Sequence, residues 1–144
     1  MNKKAIAGAA FLGAAVTAIG GYIAFDYMKA QEAEHADRLM RAEIVCESMK
    51  EDVSELAIRA FRWGLDRDDH DTPEAWRETG ETLHAPLIES IAKDEGRESD
   101  VVAVVKAMIP YNREINRGLV RANASDPVLW QVGRKVCIKL EMNR

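Results

Sequence analysis

Two cysteines, three histidines and one dense run of acids are the residues in this 144-residue chain whose types could do chemistry. Cys46 and Cys137 lie 91 positions apart and make no CxxC or CxxCH spacing, which disfavours a zinc cluster and c-type haem. Outside a reducing compartment two such cysteines pair more often than they stay free. A disulfide closing that loop takes chain entropy from the unfolded state, about 4.5 kcal/mol on the loop-length relation. The other reading is two buried, unpaired thiols.

Asp66, Asp68, Asp69, His70 and Asp71 could hold a cation, but an EF-hand loop needs Gly at its sixth position and Glu at its twelfth. Counted from Asp66, those positions hold Asp71 and Arg77, so a solvated connection between helices is the better reading. His35, His70 and His84 show no HExxH or i, i+4 pairing, and no metal site is expected. His84, near Pro86, could serve a haem-binding bundle with a methionine such as Met108 opposite; a surface or partly buried imidazole is favoured. The serines fall on helical faces or caps without a GxSxG elbow. The carboxylates follow helical charge periodicity and do not form the opposed pair that glycosidase chemistry needs. The chain is therefore expected to be no enzyme and to need no cofactor.

A recognition surface is the remaining chemistry. Trp, Tyr and Arg anchor interfaces, and Trp63, Trp76, Trp130, Tyr111 and several arginines are available. Trp63 and Trp76 fall on predicted inner stripes. Trp130, with Arg117 and Arg121, is left as the candidate exposed anchor.

The chain carries a formal charge of −4; with Lys3 and Lys4 set aside, 18 basic stand against 24 acidic residues, a balance of −6. A domain of that sign lacks the clustered cations that nucleic acid requires, and 6% aromatic residues argue against a base-stacking surface. No nucleic-acid partner is expected. About 118 residues beyond the N-terminal segment suffice for one domain with its own core.

Residues 5–25 are uncharged, small and apolar, flanked by Lys3 and Lys4 before and Asp26 after. At ~1.5 Å rise per residue this run is about 31 Å long, near the hydrocarbon thickness of a bilayer. It is long for a cleaved signal and lacks a good cleavage site, so a retained signal anchor is expected. The positive-inside rule leaves residues 1–4 as a cytoplasmic stub and sends the rest across. In a bacterium that means an inner-membrane protein with its C-terminal domain in the periplasm. Ala5, Ala9, Gly13, Thr17 and Gly21 align into one small-residue face, suited to packing on another transmembrane helix, its own copy or a partner's.

The expected architecture is all-α: the transmembrane helix over 5–25 continues through a helical stalk, 26–38, into an antiparallel bundle of about four helices, 39–144. Leu39, Ala42, Cys46, Met49, Val53, Leu56, Ala60 and Trp63 alternate by three and four, an a/d seam. Asp71-Thr72-Pro73-Glu74 starts a second helix, whose inner stripe is Trp76, Thr79 or Gly80, Leu83, Leu87 and Ile91, with a kink or split at Pro86. A third helix, capped by Ser99 or Asp100, buries Val101, Val104, Val105, Met108, Ile115, Leu119 and Ala122 and bends at Pro110. A strand is the rival reading of its β-branched run. After Asn123, Ser125-Asp126-Pro127 opens a last helix with Leu129, Val132, Val136 and Leu140 inside. First and last helices are neighbours in an up-down bundle, which would let Cys46 meet Cys137.

These readings point to a non-enzymatic, single-span membrane protein whose outer helical domain is an interaction or accessory subunit of a membrane-associated complex. Its partners would be lipid and another transmembrane protein or a second copy. The size, N-terminal run, outer helices and paired cysteines also resemble, in architecture alone, an inner-membrane spanin or a phage lysis regulator with a releasable anchor. A periplasmic helical domain that senses small ligands is the third expectation.

Overall fold

The computed structural model describes the backbone of residues 3–64, 72–122 and 127–144, and their side chains apart from 3–19, 120–122 and 127. The chain divides into two units, residues 1–40 and 41–144, described separately below. Every described element is helical, and no strand occurs among the described residues. The β-branched run after Val101 is helix as well.

The first unit belongs to α1 (Lys3–Ser48). Its described side chains are exposed, except for the half-buried Asp37, and apolar Tyr22, Ile23, Phe25, Tyr27 and Met28 are all more than half exposed. Local i, i+4 contacts decorate it: Gln31 donates to the Tyr27 hydroxyl at 2.9 Å, and Lys29 sits 4.5 Å over the Phe25 ring. Among the described residues no helix is long and apolar enough to cross a membrane. That overturns the expected transmembrane helix over 5–25. From Gly20 onward only a short apolar stretch precedes Asp26, Lys29, Glu32, Glu34 and Asp37, and a charge at the centre of a span costs about 2.5–3.5 kcal/mol. The side chains of Ala5, Ala9, Gly13 and Thr17 lie outside the described residues. Gly21 has no atom within 4 Å of where a Cβ would stand.

The second unit is a bundle of four helical arms. The first arm passes from the end of α1 through a break at Met49, where the Met49 amide reaches back to the Cys46 carbonyl at 3.2 Å, into α2 (Lys50–Phe61) and a 3₁₀ turn, Arg62–Gly64. The seam from Ala42 to Ala60 is buried as its spacing requires, and only its end members, Leu39 and Trp63, are exposed. Around it pack α4, α5 and α7.

The second arm holds α3 (Pro73–Thr79), a π turn (Gly80–His84) and α4 (Ala85–Glu95). Thr72 caps α3, its hydroxyl accepting from the Ala75 amide at 3.2 Å. Pro86 cannot donate to Thr82, and its ring would collide with that carbonyl in a regular α-turn. The wider π turn just before it relieves the clash. One extra residue in the turn rotates everything after it. The expected stripe Leu83, Leu87, Ile91 becomes half-buried, and His84, Ile88 and Ala92 take the core. Gly96 ends α4 at φ +63°, with the Arg97 amide bonded back to the Ala92 carbonyl at 2.9 Å.

The third arm is α5 (Ser99–Ala107), a 3₁₀ turn (Ile109–Tyr111) at Pro110, and α6 (Asn112–Ala122). Glu98, in extended backbone, occupies the N-cap without a side-chain bond, one position before the expected Ser99 or Asp100. Val101, Val104, Val105, Met108, Ile115 and Leu119 are buried as expected; the Ala122 side chain, the Asn123 stop and the Ser125-Asp126 start lie outside the described residues. The fourth arm, α7 (Pro127–Met142), buries Leu129, Val132 and Val136, with Leu140 half-buried.

Candidate functional site

Three features of the bundle bear on function. The first is the staple. Cys46 and Cys137 are fully buried and form a disulfide with Cα atoms 5.9 Å apart. It ties the end of α1 to α7, the neighbouring first and last arms. Beside it Gly133 lets α7 approach α2: a Cβ there would stand 3.4 Å from Val53 Cγ1.

The second feature is a polar cluster at the far end of α2. His84, carried inward by the π turn, is fully buried and meets the Phe61 ring edge-on at 4.8 Å between centroids. Asn112 and Asn116, 2% exposed each, face it from α6. Asn112 Nδ2 donates to the Trp76 carbonyl at 2.7 Å and lies 3.3 Å from His84 Nδ1. An amide oxygen in that position would face the Trp76 carbonyl oxygen at 2.7 Å, so the amide nitrogen occupies it and points a donor at His84 Nδ1. Asn116 Nδ2 donates to the Asn112 carbonyl at 2.7 Å, and its Oδ1 is buried without a hydrogen-bond partner among the described residues. Gly64 closes the cluster: a Cβ there would stand 3.1 Å from His84 Nε2 and 3.2 Å from both Asn116 polar atoms. Thr79, also buried, turns its hydroxyl onto the Ala75 carbonyl of its own helix at 2.8 Å.

Asn112 also lines the third feature, a cleft of about 440 Å³ between α3 and the Ile109–Tyr111 turn. Trp76, Ile109 and two prolines give it apolar walls, and Arg77 and Arg113 bring cations. The crossing of the two walls is tight. A Cβ on Gly80 would stand 2.6 Å from Ile109 Cγ2.

Away from the cleft several surface charges are paired. Arg97, after the α4 cap, reaches Asp52 (2.5 Å), Glu55 (2.8 Å) and Glu95 (2.9 Å), tying the end of α4 to α2. Its hydrogen bond to Glu55 holds the guanidinium above its ordinary value; the charges of Glu55 and Asp52 add to that, and partial burial opposes it. Arg59 joins the group through Glu95. Arg134 pairs with Glu43 across α7 and the end of α1 at 2.6 Å.

Of the residues expected at a site, the structure brings Cys46 and Cys137 together. Trp130 is half-buried, with Lys50 5.8 Å over its ring; Arg117 is exposed, and the Arg121 side chain lies outside the described residues. Trp63, read as a core residue, is instead 71% exposed in the turn after α2. The acidic run Asp66–Asp71 lies outside the described residues. Among the described residues no group of acids, histidines and cysteines is arranged to hold a metal ion. The polar cluster was missed by sequence reasoning. Its signal was present: Asn112 and Asn116 fall on the same helical face as Ile115 and Leu119, polar residues on an apolar stripe. Comparison with protein-family models, curated proteins and solved structures finds no match for this chain.

Proposed function

We propose that the bundle is a non-enzymatic interaction or accessory subunit, a rigid helical platform that contacts another protein through exposed apolar side chains. Trp63 is the observation that carries this reading. A tryptophan 71% exposed forgoes burial of one of the largest apolar surfaces in the chain, and tryptophan is the residue type most enriched among energetic anchors of interfaces. Ile44 and Val45, 65% and 41% exposed on the outer side of the disulfide-bearing helix, support it. The staple and the Arg97 network hold the platform, so a partner would meet preformed geometry and little ordering cost. The disulfide also favours an oxidising compartment as the working location.

The test is the size of the complex recovered from the native source under mild extraction. Wild-type chain should run with a partner, and Trp63→Ala should release it as a folded monomer while Trp130→Ala does not. Recovery of the wild type as a lone monomer would contradict the reading.

A further inference from the structure

The cleft beside α3 has features that the platform reading leaves unused. Its volume, about 440 Å³, falls in the range of small-molecule sites, roughly 300–1,000 Å³. Its walls are preformed. Gly80 is pressed against Ile109, and Asn112 is fixed by the Trp76 carbonyl on one side and His84 on the other. A cleft with locked walls keeps its shape when empty and asks little ordering of a ligand. Trp76, 9% exposed, and half-buried Ile109 line the cleft with apolar surface. Arg77 stands exposed on the rim, and no described residue forms an ion pair with it. Glu81 on the same lining offsets part of this charge and opposes a second negative charge on a ligand. The guanidinium fork matches a carboxylate in two parallel hydrogen bonds.

We propose that this cleft binds a small monocarboxylate with an apolar body, its carboxylate on Arg77 and its body against Trp76 and Ile109. Trp63 is not among the residues that line the cleft.

The experiment is a titration of the isotope-labelled full chain, disulfide intact, followed by amide chemical shifts. The probes are 3-phenylpropionate and its neutral isostere 3-phenylpropanamide. The acid should shift residues of α3, the π turn and the 3₁₀ turn, and the amide should bind about ten-fold weaker or less well still, the loss of one charge-assisted contact. Arg77→Gln, an exposed position, should bring the acid down to the amide's affinity and leave the amide unchanged. Trp63→Ala should alter neither affinity, so that a lost partner complex and a lost ligand are told apart. No shift up to about 10 mM acid, equal binding of acid and amide, or shifts mapping away from the cleft would overturn the proposal.

Discussion

The two ends of α2 are held by different physics. At its start the neighbouring Cys46–Cys137 bond sits in an apolar core with Met49 and Val53. At its end Phe61 and Gly64 abut His84, Asn112 and Asn116, buried polar groups that depend on one another and on backbone carbonyls for hydrogen bonds. A covalent link acts mainly by narrowing the unfolded ensemble. Buried hydrogen bonds act in the folded state and penalise any lost partner. The stapled end therefore tolerates exchange of its apolar neighbours of similar volume, whereas the polar end dictates residue identity.

Removing the staple gives the largest expected effect. Cys46→Ala with Cys137→Ala should lower the unfolding free energy by about 4 kcal/mol, read from denaturant midpoints against the oxidised chain. A change under about 1 kcal/mol would mean that native packing, and not the cross-link, holds that end. At the opposite end Gly80→Ala should cost up to about 3 kcal/mol, since its methyl group would overlap Ile109 and the two walls would have to part. Asn112→Leu should cost about 1.5 kcal/mol by removing the buried side-chain donor to the Trp76 carbonyl, which keeps only the Gly80 amide. Its His84 ring nitrogen resonances should move with it. If Asn112→Leu proves neutral, the polar end is no more demanding than the stapled one.

Smaller effects sharpen the contrast. Arg97→Met should cost about 1 kcal/mol and cost less in high salt, because its partners are solvent-facing acids. Folding raises the Arg97 pKa, so its contribution is complete at neutral pH and is lost only as strong alkali deprotonates the guanidinium. Trp63→Ala should change stability by less than about 0.5 kcal/mol, as expected of a side chain that touches little of its own fold.

Legibility from sequence followed the same division. Along α2 the three-four spacing from Ala42 to Ala60 meets no proline, and the buried face is the one the spacing names. The disulfide was expected from two cysteines, the adjacency of first and last arms and a non-reducing compartment inferred from the span; the bond is found, while the span is not supported. In the second arm Pro86 was readable as a disturbance, but its resolution as a π turn was not. One added residue exchanged Leu83, Leu87 and Ile91 for His84, Ile88 and Ala92, and turned an imidazole expected at the surface or partly buried into a core group. Pro110 disturbed its arm through a 3₁₀ turn and left the stripe from Val101 to Leu119 intact. Periodicity thus survives a proline when the local turn keeps the residue count in phase. The seam failed only at its end members, Leu39 and Trp63, which are exposed. The span expected over 5–25 is not supported, since among the described residues no helix is long and apolar enough to cross a membrane.

The function rests most directly on what Trp63 touches. A photo-crosslinking residue placed at position 63 in cells of the native source, with a matched one at position 130, reads that contact. The expected result is a single adduct of defined mass from position 63, lost on competition with unlabelled chain, and none from position 130. Absence of an adduct at 63, or equal yields from both positions, would contradict the platform reading.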